Sequence, residues 1–275
     1  MLAMALLIGG AMRAQKVEVS QERMQRIYDE AKTPYKYGLV VAPADNNHKI
    51  DCPTVFREGE KWFMTYVVYN GKGGRDGRGY ETWIAESENL LDWKTLGRVL
   101  SYRDGYWDCN QRGGFPALTD MDWGGTYQLQ TYKGKHWMTY LGGEGRGYEA
   151  VEAPLHIGLS WTNQPLGTAH EWQALDKPIL SIHDKDVQWW EALTQYKSTV
   201  YWDKAKSLGA PFVMFYNAGG RHPETGLKGE RVGIALSKDM KKWKRYEGNP
   251  VFSHEAEGII TGDAHIQKMD DVYVM

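Results

Sequence analysis

The apolar positions along this chain fall into two patterns. Over residues 20–31, Met24, Ile27, Tyr28 and Ala31 recur at helical spacing behind Ser20, a good capping residue, which predicts one short amphipathic helix. Beyond it the chain becomes short runs of Val, Ile, Tyr, Trp and Thr divided by Gly, Asn and Asp. That is the signature of strands joined by turns.

The strand pattern repeats. One element is an aromatic strand: Trp62-Phe63-Met64-Thr65-Tyr66, Trp137-Met138-Thr139-Tyr140 and Phe212-Val213-Met214-Phe215-Tyr216. A second leads to Ser: Ile84-Ala85-Glu86-Ser87, Ile157-Gly158-Leu159-Ser160 and Ile234-Ala235-Leu236-Ser237. A third is a Trp followed by a short apolar strand: Trp93 with Val99-Leu100-Ser101, Trp172 with Ile179-Leu180-Ser181, and Trp243 with Val251-Phe252-Ser253. The three recur in one order at a spacing of roughly 70–80 residues, which suits a four-stranded propeller blade with long loops.

Independent strands would not keep three markers in step, so an all-β propeller is expected, with a β-sandwich as the alternative. The closing run Asp271-Val272-Tyr273-Val274 reads as the start of the aromatic strand of a fourth unit. An unpaired sheet edge would be exposed there. The expectation is therefore a C-terminally truncated chain of about three and a half blades, with the propeller over residues 35–275 and a helical segment over 15–34.

Composition changes the picture in two places. There are 12 Trp and 17 Tyr against 6 Phe, and rings with a flat apolar face and a polar edge match sugar surfaces as well as propeller cores. The formal net charge is −2, which gives no electrostatic reason to expect nucleic acid or an anionic membrane as a partner. Residues 1–14 resemble the apolar part of a signal peptide ending in small residues, although no basic stretch precedes them. A secreted or periplasmic location is expected on that basis. Cys52 and Cys109 are too few for a disulfide framework, and the sequence leaves open whether they are bridged.

The candidate chemistry is carboxylic. Asp51, Glu191 and Asp263 each stand near the start of the strand that precedes, or would precede, an aromatic strand. In the second unit Gly125-Thr126-Tyr127-Gln128 occupies that place, without an acid. The starts of innermost strands converge on one mouth of a propeller axis, so three such acids would meet there. Like charges in one channel are unfavourable without a role. Glycoside hydrolysis supplies one, because it needs a carboxylic acid for the leaving oxygen and a carboxylate at the anomeric carbon.

The repeat, with its Asp51-Cys52-Pro53 start, resembles the five-bladed β-propeller glycoside hydrolases, notably family 43 and more distantly families 32, 117 and 130. The resemblance implies a general base at Asp51, with a proton donor and a pKa-tuning carboxylate at Glu191 and Asp263. In family 43 the order is Asp, Asp, Glu, whereas here it is Asp, Glu, Asp, and Glu191 is favoured as the acid for its longer reach. An exo-acting hydrolase of plant or microbial polysaccharide is implied, releasing arabinofuranose or xylose. The rival readings are a phosphorylase or transglycosylase on the same fold, and a propeller that binds glycan without cutting it.

Asn47, Asn110, Arg112, Trp189 and Trp190 lie beside these strand starts as candidate sugar-binding residues. No cofactor is required by this chemistry. The family implies a structural calcium ion in the channel in some members, and His265 is placed to serve it; no Cys/His cluster has zinc spacing. The glycine-rich run 71–79 lacks the ending of a phosphate-binding loop and reads as a hairpin loop.

Overall fold

The computed structural model describes residues 19–33, 36, 38–70, 77–149 and 152–275. The expected leader over 1–14 and most of the glycine-rich run, residues 71–76, lie outside them. The chain divides into two compact units, residues 1–36 and 37–275.

The first unit holds α1 (Gln21–Ala31). Ser20 is its N-cap and accepts from the Arg23 amide at 3.2 Å, as the spacing predicts, which satisfies one of the otherwise unpaired first-turn donors. Among the described residues no helix is long and apolar enough to cross a membrane.

The second unit is all-β and built from successive antiparallel sheets. The first runs β1 (His48–Glu58), β2 (Lys61–Asn70), β3 (Glu81–Ser87) and β4 (Trp93–Leu100). The second runs β5 (Gln111–Ala117), β6 (His136–Gly143), β7 (His156–Thr162) and β8 (Gln173–Ala174). The third holds β9 (Thr194–Trp202), β10 (Phe212–Arg221), β11 (Lys228–Ser237) and β12 (Trp243–Arg245), with β13 (Phe252–Ser253) also on β11. Last comes the pair β14 (Gln267–Met269) and β15 (Val272–Val274).

The sheets are propeller-like in arrangement. Thr54 of β1, Phe115 of β5, Lys197 of β9 and Gln267 of β14 line one cavity of about 370 Å³, so the first strand of every sheet faces a common axis. Apolar clusters fill the spaces between neighbours. Phe56, Ile84, Leu100, Met138 and Trp172 join the first two sheets, and Leu159, Val200, Phe212, Met214 and Ala235 join the second and third. Inner strands are also stitched across sheets: Leu118 N–H donates to Val200 O at 3.0 Å and Arg112 N–H to Tyr80 O at 3.0 Å.

Register explains the repeated markers. Trp62 pairs with Ser87, His136 with Thr162 and Phe212 with Ser237, which makes Tyr66, Tyr140 and Tyr216 equivalent. In the first and third sheets the Ser hydroxyl accepts the amides two and three residues on, Asn89 and Leu90 or Asp239 and Met240. The following Trp indole then closes the same turn by donating to Leu90 O at 2.8 Å or Met240 O at 2.6 Å. Thr162, not Ser160, holds this place in the second sheet, so the sequence pattern there is displaced by two residues. A shift of two keeps each side chain on its face.

One inner strand differs from expectation. The second sheet begins at Gln111–Ala117, not at Gly125–Gln128. Gly114 sits so close to its neighbours that a Cβ there would come 2.4 Å from Met138 Sδ, and Pro116 is tolerated because β5 is an edge strand.

Candidate active site

Two bulges shape the mouth of the axis. In β1, Asp51 pairs with Val67 and Thr54 with Thr65, so Cys52 and Pro53 together oppose Tyr66. Cys52 takes the left-handed conformation (φ 51°), and its amide donates to Asp51 Oδ1 at 2.7 Å. In β9, Tyr196 and Lys197 likewise oppose Asn217 of β10, between the pairs Tyr216–Ser198 and Ala218–Gln195. Such bulges re-aim side chains at the ends of strands.

Four acidic residues, Asp51, Glu149, Glu230 and Asp263, act electrostatically on the groups around these bulges. The charges of Asp51, Asp263 and Glu149 all act on the Cys52 thiol. Burial first, then Asp263 and Asp51, push that thiol up to about 12. The Glu230 carboxyl on β11 is pushed above the ordinary carboxylate range by burial and then by the charges of Glu149 and Asp263; Lys228 and a hydrogen bond with Tyr196 oppose this. Asn217 Nδ2 also donates to Glu230 Oε2 at 3.2 Å. The Tyr196 hydroxyl is raised by burial and by Glu230 and Glu149. Asp263 itself is in the left-handed region (φ 54°) just before β14.

Glu149 stands on the loop after β6, also left-handed (φ 51°). Buried Gln111 ties that loop down: its Nε2 donates to the carbonyls of Gly145, Gly147 and Glu149 at 3.2, 2.9 and 3.2 Å, while its Oε1 accepts from the Tyr80 amide at 3.0 Å. Tyr69, Tyr80 and Tyr148 pack beside it with ring centroids 5.0–6.0 Å apart, and the Tyr80 hydroxyl donates to Glu149 Oε1 at 3.4 Å. Tyr148 keeps 41% of its surface exposed, an aromatic face of the kind that stacks on sugar rings.

The structure thus brings Asp51 and Asp263 together but not Glu191. Glu191 ends a short 3-10 turn and is 0% exposed. Its Oε1 accepts from Arg245 Nε at 2.8 Å and from the Gln188 amide at 3.2 Å; its Oε2 accepts from Tyr216 Oη at 2.9 Å and Gln195 Nε2 at 3.2 Å. With every lone-pair direction used inside the sheet, it has nothing to offer a substrate. Its counterpart is Asp108, whose Oδ2 accepts from Tyr140 Oη at 2.8 Å, and not Asp51. Trp107 on Tyr140 and Trp190 on Tyr216 complete the correspondence, with ring centroids at 5.8 and 5.5 Å.

Three of the five candidate sugar-binding residues are structural for related reasons. Arg112 is 0% exposed and bonded to Asp108, Glu171 and Ser101 O. Trp190 is fully buried in the core between sheets, and Asn110 Nδ2 donates to Glu144 O at 2.6 Å. Asn47 lies in an exposed turn whose amides Asp45 caps at 2.7 and 3.1 Å. Trp189 keeps 38% exposure, with Arg231 over its ring at 4.5 Å. Both cysteines are free thiols. His265 keeps an exposed edge, and the surrounding protein followed by the Lys197 charge lowers its imidazole. Among the described residues no group of three or more His, Cys, Asp or Glu is placed to hold a metal ion.

Glu149 and Glu230 escaped sequence reasoning. Glu149 belongs to the loop between β6 and β7, outside the three repeated markers. Glu230 pairs with Gly219, three residues beyond Tyr216, and the same count in the other sheets leads to Tyr80 and Leu155, both buried. A charge at a position that is otherwise aromatic or aliphatic was the available signal.

Successive sheets whose first strands share one cavity make a propeller-like fold, and the tyrosines and acids beside Cys52 are its candidate site. No protein-family model matches the sequence, and no curated protein matches it. Solved structures do. One described as a glycoside hydrolase is 81% identical, with a TM-score of 0.90 over 93% of this chain and 73% of its own. A structure of BT0996 described as an RGII complex is 82% identical, with the same TM-score and coverage. The family 117 glycoside hydrolase Zg3597 of Zobellia galactanivorans shares the fold at 15% identity, with a TM-score of 0.56 over 75% of this chain and 58% of its own. The chain belongs to the glycoside hydrolases, and it is a glycosidase.

Proposed function

We propose that this glycosidase uses Glu230 as its proton donor and Glu149 as the carboxylate facing the anomeric carbon, in place of the Glu191 role that the sequence suggested. The observation that carries this is the Glu230 carboxyl, held by Asn217 Nδ2 at 3.2 Å beside the β9 bulge and raised by burial and then by the Glu149 charge. A carboxyl raised above its ordinary value holds its proton to higher pH and can give it to the glycosidic oxygen as the bond to the anomeric carbon breaks. The second carboxylate activates water for that carbon or attacks it directly. Asp263 helps to keep the proton on Glu230, and Asp51, with one oxygen on the Cys52 amide, retains the other for a sugar hydroxyl or the attacking water.

The substrate we infer is the end of a plant polysaccharide chain, of the kind named in the RGII complex of BT0996, with arabinofuranose or xylose as the released sugar. Convergence of the acids on an axial mouth supports exo action, since a mouth admits a chain end. Two of the arginines that a phosphate pocket would use are engaged elsewhere: Arg112 is buried in ion pairs and Arg221 donates to Gly226 O at 3.2 Å. That favours water over phosphate as acceptor.

Hydrolysis of aryl furanosides, aryl pyranosides and RGII-derived oligosaccharide tests the assignment. Glu230→Gln and Glu149→Gln should each abolish turnover that the parent shows, and Asp51→Asn should reduce it less. Full activity in Glu230→Gln would overturn it.

A further inference from the structure

Asn217 stands at the bulge between β9 and β10, 3% exposed, and meets Glu230 diagonally across the β10–β11 pair. Its Nδ2 donates to Glu230 Oε2 at 3.2 Å. Its Oδ1 is buried and has no partner among the described residues. An amide left half-satisfied in a protein interior costs free energy, so such a group is informative about the site around it. Gly262, just ahead of Asp263, supports the same contact. A Cβ on it would fall 3.3 Å from Asn217 Nδ2 and 3.5 Å from Glu230 Oε2, so the backbone passes close to both groups.

A proton donor presents two faces to its surroundings. As the free acid it needs an acceptor for its O–H until substrate arrives; as the carboxylate left after proton transfer it needs donors. An amide offers both, because a half-turn about its terminal torsion exchanges Oδ1 with Nδ2. Leucine has the same shape and offers neither.

We propose that Asn217, kept in place by the close approach of Gly262, is a positioning residue for Glu230: its N–H holds the ionised carboxylate and its unpartnered Oδ1 receives the O–H of the acid form. The bond to the charged form is the stronger of the two, since charge-assisted hydrogen bonds exceed neutral ones. Removing the amide therefore disfavours the carboxylate more than the acid. This inference rests on Glu230 as the proton donor only for its catalytic meaning; the carboxyl–amide coupling can be read without substrate.

The test is a titration of the full chain labelled with carboxyl-¹³C glutamate, followed by NMR. The resonance absent from Glu230→Gln identifies the carboxyl. In Asn217→Leu and in Gly262→Ala that resonance should titrate roughly one pH unit higher than in the parent, the size expected for one lost charge-assisted bond. Gly262 is exposed and outside the left-handed region, so its alanine variant retains the fold, which a thermal melt verifies. An unchanged midpoint in both variants overturns the proposal. Turnover of aryl arabinofuranosides carrying good and poor leaving groups supplies the separate arm. Loss about ten- to hundredfold for the poor leaving group alone in Asn217→Leu is expected. If Glu230→Gln stays fully active while the midpoint still moves, the donor assignment fails and the amide coupling stands.

Discussion

Tyr216 donates its hydroxyl to Glu191 at 2.9 Å, as Tyr140 does to Asp108 at 2.8 Å one sheet earlier. Each acid also meets an arginine, Arg245 Nε at 2.8 Å or Arg112 Nε at 3.1 Å, and each arginine reaches back to a Ser carbonyl, Ser181 or Ser101. A buried carboxylate is stable only when paired and bonded in this way. Truncating one partner leaves the other charge uncompensated, at a cost of about 3–5 kcal/mol. Glu191→Ala should lose that much in denaturant unfolding, whereas a catalytic acid would cost activity without stability.

Glu230 predicts the opposite combination. Burial and the Glu149 charge raise its folded pKa above the unfolded value. The folded state then binds the proton more tightly than the unfolded chain. Its contribution to stability is complete below the unfolded pKa and is lost as pH rises through the folded one. At pH 7.5 the Glu230→Gln protein should therefore melt higher than the parent, and the difference should shrink towards pH 4. Activity on an alkyl glycoside should fall about 10²- to 10⁴-fold, the usual worth of general acid catalysis.

These two glutamates also mark where sequence reading stops. The helix, the aromatic strands and the Ser–Trp turns were legible because each rests on local chemistry that repeats: a cap at Ser20, a hydroxyl accepting turn amides at Ser87 and Ser237, an indole closing the turn at Trp93 and Trp243. The inner strand Gln111–Ala117 was not, since Gly113, Gly114 and Pro116 carry no strand preference and are selected by close packing against Leu141 and Met138. Asp51 and Asp263 both act on the Cys52 thiol, in keeping with inner strands that start at the axis. Spacing along the chain does not tell the mouth of the axis from the interior of a sheet, which is where Glu191 lies.

Cys52 offers a probe of the same mouth. With its thiol pushed up to about 12, only about one molecule in 10⁴ carries the thiolate at pH 8. Native protein treated with iodoacetamide at pH 8 should leave Cys52 unlabelled by mass spectrometry and label it fully in urea. Asp51→Asn combined with Asp263→Asn removes two of the three charges that raise the thiol, and native labelling should then become faster. Equal rates in the parent and the double variant would mean that those carboxylates do not face the thiol.

Glu149 and Glu230 differ in what a leaving group can replace. A dinitrophenolate departs without a proton, so it bypasses a missing acid; it does nothing for a missing carboxylate at the anomeric carbon. Glu230→Gln should therefore recover much of the parent rate on a dinitrophenyl glycoside, while Glu149→Gln should stay slow on activated and unactivated substrates alike. Glu149 also depends on its loop. Gln111 secures that loop through three carbonyls, so Gln111→Leu should reproduce the Glu149 pattern in weaker form and leave the response to leaving groups flat. Were Glu149→Gln instead rescued by the better leaving group, the two roles would have to be exchanged.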